Sequence, residues 1–153
     1  MVDVGDKAPA FEMPTVDNGT VSAKALKGKP FILYFYPRDD TPGCTKEAIA
    51  FTGLKPDFDA LGVAIIGVSK DSVAKHEKFI GKHDLAIALG SDESGAVCDA
   101  YGVWVEKKNY GRTYMGIERS TFLVDGKGAV HRVWRKVRVK DHAEAVLEAA
   151  RGL

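Results

Sequence analysis

Phe31-Ile32-Leu33-Tyr34-Phe35-Tyr36-Pro37-Arg38-Asp39-Asp40-Thr41-Pro42-Gly43-Cys44-Thr45 is the stretch on which the reading of this chain turns. Its first six residues are continuously apolar or aromatic, the pattern of a strand covered on both faces of a sheet. Pro37 ends that run. Thr41 then suits a helix N-cap, where its hydroxyl can accept a bond from a first-turn amide. Pro42 suits the first helical position, because the N–H it lacks would have no partner there. Cys44 falls at the third helical position, among unpaired amides and at the positive end of the helix dipole. That setting favours the nucleophilic thiolate. In open α/β sheets the chemistry lies beyond the carboxyl ends of strands, which is where this cysteine follows its strand.

Working outward, Phe11 to Val21 contains Pro14 and the turn pair Asn18-Gly19, and predicts a short N-terminal hairpin. The helix begun at Pro42 is expected to run to about Leu54. Val63–Val68 reads as a second buried strand. Asp71 or Ser72 caps a helix to about Lys82, with Val73, His76, Phe79, Ile80 and His83 at helical spacing. Leu85–Leu89 is a third strand and Ser94–Tyr101 a short helix. Ser120–Val124 and Ala129–Arg135 flank the turn sequence Asp125-Gly126-Lys127-Gly128 and form a hairpin. Asp141, with Glu144 three residues on as in a capping box, starts a last helix ending near Gly152. The order predicts an α/β class with a central mixed β-sheet flanked by helices, as one domain over residues 1–153.

Composition limits the function. The chain has 22 Lys plus Arg against 21 Asp plus Glu, a net charge of +1. Such a balance does not draw a protein to nucleic acid or to an anionic membrane. No apolar run approaches the roughly 20 residues of a membrane span, and the N-terminus lacks the pattern of a signal peptide. Two cysteines make no disulfide framework. A reducing, cytoplasmic setting is the expectation.

A reactive thiolate can serve disulfide exchange, acyl transfer, metal binding or peroxide reduction. Disulfide oxidoreductases carry Cys-x-x-Cys at the helix start, but here the second position is Glu47. The four histidines, His76, His83, His131 and His142, form no metal spacing with either cysteine. No metal and no prosthetic cofactor is expected.

Pro37-x-x-x-Thr41-x-x-Cys44 resembles the active-site signature of the peroxiredoxins. The fuller text from Phe35 to Thr45 resembles the subfamily of the bacterioferritin comigratory protein, or peroxiredoxin Q. Gly5–Phe11, Ser91-Asp92, Tyr101–Trp104 and Gly116–Asp125 agree with it. The resemblance implies a thioredoxin-like fold with the N-terminal hairpin as an extension. It implies a thiol peroxidase, an antioxidant enzyme of redox homeostasis acting on hydrogen peroxide and small organic hydroperoxides. Cys44 would be the peroxidatic cysteine that becomes a sulfenic acid. Thr41 would hydrogen-bond the thiolate and then the peroxide. Pro37 would wall the pocket. Arg119 would come from the strand opposite to favour the thiolate and the charge developing as the O–O bond breaks. The resemblance also implies a monomer.

The chain departs from the family at its resolving positions. Ile49 stands five residues after Cys44 and Ile80 thirty-six residues after it, where relatives carry a second cysteine. The remaining sulfur is Cys98. An external thiol such as glutathione, thioredoxin or glutaredoxin is therefore the expected co-substrate. The alternatives are Cys98 as resolver, or a redox sensor in which Cys44 is the switch.

Other features have plainer readings. From spacing alone, Arg119 would be a surface arginine. Asp39 and Asp40 read as solvated loop acids. The basic run His131–Lys140 reads as a solvated strand face rather than a nucleic-acid site. Trp104, Tyr110 and Tyr114 lie in a hairpin or loop over Val103–Gly116. They either line the substrate approach or simply pack.

Overall fold

The computed structural model, which describes residues 1–153, opens with a hairpin of β1 (Glu12–Pro14) and β2 (Thr20–Ser22), with Met13 opposite Val21. The central sheet is assembled from β3 (Phe31–Phe35), β4 (Ala64–Ser69), β5 (Ala88–Ser91), and two later strands. Helix α1 (Pro42–Ala60) joins β3 to β4, and α2 (Val73–His83) joins β4 to β5. A short helix α3 (Ala96–Ala100) precedes the hairpin of β6 (Trp104–Asn109) and β7 (Arg112–Ile117). The chain returns as β8 (Ser120–Val124) and β9 (Val130–Trp134) and ends in α4 (His142–Arg151).

The sheet order is β5-β4-β3-β8-β9. Strand β3 is parallel to β4 and antiparallel to β8, so the sheet is mixed, as expected. Tyr34 stands between Gly67 on one side and Thr121 on the other. A Cβ at Gly67 would lie 2.7 Å from the Tyr34 ring, so the large aromatic needs a glycine beside it.

All five residues of β3 are buried because both faces of the sheet are covered. Ile32, Tyr34 and Tyr36 join one core with Cys44, Phe51, Phe58, Phe79 and Val146, from α1, α2 and α4. Phe31, Leu33 and Phe35 join the other, with Phe11, Met13, Cys98 and Tyr101. Period-two alternation along one strand thus feeds two separate layers. Phe51 stacks on Tyr34 with ring centroids 4.7 Å apart and fixes α1 against the central strand.

Several boundaries differ from the sequence expectations. Helix α1 runs to Ala60, past Leu54 and through Pro56. Pro56 forfeits the bond to the Thr52 carbonyl and sets its ring against that carbonyl. Burial of Phe58 beside Phe51 (6.1 Å between ring centroids) and the Lys55–Asp59 ion pair keep the last turns helical. The third strand begins at Ala88 rather than Leu85. Leu85 instead closes α2, donating its amide to the Ile80 carbonyl after a left-handed Asp84 (φ 52°). Asp141 occupies the N-cap of α4 but makes no capping bond, so the expected capping box does not form. Its φ of 60° departs from the extended backbone that lets a side chain reach the first-turn amides. Ser72, whose φ is −69° and ψ 162°, does cap α2 through the Lys75 amide. The hairpin or loop expected over Val103–Gly116 is a regular hairpin from Trp104 to Ile117, with Tyr110 at its tip almost fully exposed.

Phe51→Ala should lower the unfolding free energy by about 3–5 kcal/mol, because it opens a cavity beneath α1. Urea unfolding under reducing conditions measures it. A loss below about 1 kcal/mol would mean that α1 is held elsewhere.

Candidate active site

Cys44 is the third residue of α1 and is 2% exposed. The amides of Gly43 and Cys44 precede the first bond of the helix, from the Thr45 amide to the Thr41 carbonyl (2.8 Å). They therefore have no intrahelical acceptor. Arg119, 75 residues further on, reaches the same point. It belongs to the two-residue link between β7 and β8, rather than to a strand. Its Nη2 donates to Cys44 Sγ at 3.3 Å, and its Nη1 donates to Glu47 Oε1 at 2.7 Å. A Cβ at Gly43 would stand 3.2 Å from Nη2, so glycine gives the guanidinium room to cross the helix start. The plain reading of Arg119 as a surface arginine does not hold.

Glu47 is the residue that sequence reasoning passed over, noting it only as a missing cysteine. It is buried, one turn beyond Cys44. Residues three apart on a helix share a face, and that was the available signal. Burial pushes its carboxyl up to about 7, while the Arg119 guanidinium pulls the other way. Its Oε2 has no hydrogen-bond partner, nor has the hydroxyl of the buried Tyr34 below. Burial, then the charges of Glu47 and Cys44, raise the Tyr34 phenol well above its usual range. Burial opposes the charge on Arg119, but Glu47 and Cys44 outweigh it and its pKa is raised. Burial, then Arg119, brings His142 down to about 4, and its Nε2 lies 2.8 Å from Thr121 Oγ1. The centre thus holds a fixed cation against a thiol at a helix N-terminus. Such a site can stabilise a thiolate and an oxyanion leaving it.

Thr41 is at the N-cap with extended backbone (φ −88°, ψ 155°), but it makes no side-chain cap. Its hydroxyl donates to the Arg38 carbonyl at 2.9 Å rather than to the sulfur. The proton is spent locally, and the oxygen lone pairs remain to accept one from a ligand. Pro37 is exposed. With Lys70, Trp104, Lys107, Tyr114 and Met115 it lines an open hollow of about 650 Å³. Lys70 Nζ lies 4.1 Å above the Trp104 ring.

Asp39 and Asp40 separate sharply. Asp40 is exposed as expected, and pairs with Lys82 and His83. Those hydrogen bonds, that of His83 foremost, hold its carboxyl below the usual range. Asp39 is not solvated: its carboxylate is 6% exposed and meets His76 Nδ1 at 2.6 Å. Tertiary packing of α2 against the loop buries an acid that local sequence marks as polar. The run His131–Lys140 mixes exposed and half-buried residues. Within it Arg132 lies over Trp134, and Arg135 bonds the Val2 carbonyl.

Cys98 is fully buried on α3 in the core layer across the sheet from Cys44, and both thiols are free. Burial first, then its contact with Asp92, pushes the Cys98 thiol far up, against the thiolate. Ile49 is half exposed on α1 and Ile80 half-buried on α2.

A thiol at a helix start beneath a guanidinium stands here on a thioredoxin-like mixed sheet, the fold of the peroxiredoxins. Residues 4–133 match the AhpC/TSA family, and the chain belongs to it. It is a peroxiredoxin of the bacterioferritin comigratory, or Q, type. It is 48% identical to a putative peroxiredoxin Bcp of Coxiella burnetii, over 95% of this chain and 97% of that one. It is 46% identical to peroxiredoxin Bcp of Bacillus subtilis, over 99% and 97%. A solved structure of the Xanthomonas campestris bacterioferritin comigratory protein, a protein with alkyl peroxide reduction activity, superposes with a TM-score of 0.92. It is 40% identical and covers 99% of this chain and 96% of that one. A cysteine-to-serine mutant of Xylella fastidiosa PrxQ gives 0.94 at 33% identity, over 99% and 97%. Peroxiredoxins draw electrons from thiols rather than from a prosthetic group. No helix is long and apolar enough to cross a membrane.

The Glu47 carboxyl binds its proton more tightly folded (about 7) than an ordinary carboxyl at 4.5. Its contribution to stability is therefore full below about pH 4.5 and lost as pH rises through about 7. Glu47→Gln should flatten the fall in unfolding free energy between those pH values. Denaturant titrations across the range test this, and an unchanged slope would assign the dependence to other groups.

Proposed function

We propose that the protein reduces hydrogen peroxide and small organic hydroperoxides at Cys44. The observation that carries the reading is the 3.3 Å contact of Arg119 Nη2 with Cys44 Sγ at the start of α1. The thiolate attacks the terminal oxygen of R–O–O–H in line with the O–O bond. An S–O bond forms, the O–O bond breaks, and RO⁻ leaves to take up a proton as ROH. Cys44 is left as the sulfenic acid, oxidised by two electrons. Arg119 and the amides of Gly43 and Cys44 are the donors for the departing oxygen. The Thr41 hydroxyl, with its own proton on the Arg38 carbonyl, accepts the peroxide hydrogen and orients the pair of oxygens. Pro37 forms one wall of the approach.

An external thiol resolves the sulfenic acid. One thiol condenses with Cys–S–OH to give a mixed disulfide and water. A second thiol attacks that disulfide and releases the Cys44 thiolate with the oxidised reductant. Ile49 and Ile80 carry no sulfur, and the sheet stands between Cys44 and Cys98. Disulfide bonding needs Cα atoms within about 7 Å, so Cys98 as resolver would require the fold to open.

Purified protein with a thiol reductant should consume hydrogen peroxide, and Cys44→Ser should not. Arg119→Met should slow peroxide attack by about 10²–10³-fold, the cost of removing one donor from such a site. Intact mass after peroxide alone should show one added oxygen per chain. Loss of two hydrogens would instead assign Cys98 as resolver. Full activity in Cys44→Ser would overturn the reading.

A further inference from the structure

The segment from Tyr36 to Asp40 sets Thr41 and the start of α1 in place, and a buried polar cluster apart from the thiol holds that segment. Tyr36 Oη donates to Asp39 Oδ1 at 2.6 Å, and Asp39 Oδ2 meets His76 Nδ1 at 2.6 Å. The Asp39 amide donates to Asp71 Oδ2 at 2.8 Å. That oxygen also accepts from the Ser69 hydroxyl at 2.6 Å. On its far side, His76 Nε2 lies 3.2 Å from the Gly90 carbonyl. His76 is wholly buried.

The donors can be counted. The Gly90 carbonyl only accepts, so Nε2 carries a hydrogen. A carboxylate oxygen also only accepts, so a proton lies in the 2.6 Å contact between Nδ1 and Oδ2. His76 is thus tied at both nitrogens, to β5 behind and to the active-site loop in front. Asp39 is tied at both carboxylate oxygens and at its amide. A buried pair of this kind leaves a costly orphan if either partner is removed. The cluster lies two residues before Thr41 and five before Cys44, and it makes no contact with Arg119 or Glu47.

We propose that Asp39 and His76 are positioning residues for peroxide reduction: their proton-sharing contact latches Pro37–Thr41 so that the Thr41 oxygen and the first-turn amides of α1 are aligned on the peroxide before it arrives. This rests on the function proposed above. The latch binds no peroxide. It fixes where the orienting groups stand, and errors of about 1 Å in such groups cost about 10²-fold in rate. The latch makes no hydrogen bond to Cys44 or Arg119, so the contact between that sulfur and the guanidinium stays in place.

Two rates at Cys44 separate alignment from folding: oxidation by hydrogen peroxide and alkylation by iodoacetamide. Alkylation needs the thiolate but no donors around a departing oxygen. Asp39→Ala should slow peroxide attack by about 10-fold or more while alkylation changes less than about threefold. Asp39→Asn should restore most of the rate, because its amide nitrogen can donate to an unprotonated Nδ1 and its oxygen still accepts from Tyr36. Should Asp39→Ala fail to fold, Tyr36→Phe removes one latch bond without a cavity and should slow peroxide attack alone. Three results would overturn the latch: an unchanged peroxide rate in a folded Asp39→Ala, both rates shifting together, or Asp39→Asn as slow as Asp39→Ala. The wild-type rate and its loss in Cys44→Ser test the chemistry itself, so the two failures are distinguishable.

Discussion

A cation in a largely buried place needs partners, and Arg119 finds two of them on one helix face. Its guanidinium spans Glu47 Oε1 at 2.7 Å and Cys44 Sγ at 3.3 Å. That fork geometry suits arginine, whose planar donors reach two acceptors at once. With Arg119 so placed, a side chain at Gly43 would crowd its Nη2, and Glu47 sits one turn past the cysteine to meet its Nη1. The link between β7 and β8 must also run beside the start of α1. The Arg119 carbonyl accepts from the Val137 amide at 3.0 Å, so its backbone is held as well as its side chain.

The second constraint is the central strand. β3 supplies both core layers, and its end aims the chain at the active-site turn. With the sheet between them, the two cysteines belong to different chemistries. One faces a guanidinium at a helix terminus, and the other is packed among Val97, Tyr101 and Val103. The layout of the layers separates the two sulfurs, and the isoleucines at positions 49 and 80 offer no third.

The site is braced from two sides by unlike means. On the Arg119 side a formal ion pair carries a buried carboxyl whose second oxygen is left without a partner. On the His76 side every polar atom of the Asp39 carboxylate and the imidazole has one. The first arrangement leaves an unsatisfied carboxyl oxygen one turn from the Cys44 sulfur. The second is saturated.

The sequence by itself determined the strand at Phe31–Phe35, the helix that begins at Pro42, the late hairpin and the place of Cys44 in the first turn. These depend on local rules of alternation, capping and proline geometry, which a short window contains. The motif also marked Thr41 and Pro37, whose position relative to Cys44 is set by eight residues of chain. Only the tertiary structure decided the rest. Whether Asp39 or Asp40 is solvated depends on α2, some 37 residues away. That Glu47 is a buried partner depends on a guanidinium 72 residues away. Whether Cys98 can meet Cys44 depends on the sheet between them. Burial and pairing of charge are set by what packs against a residue, and that information lies in the long-range contacts of the fold rather than in the neighbours along the chain.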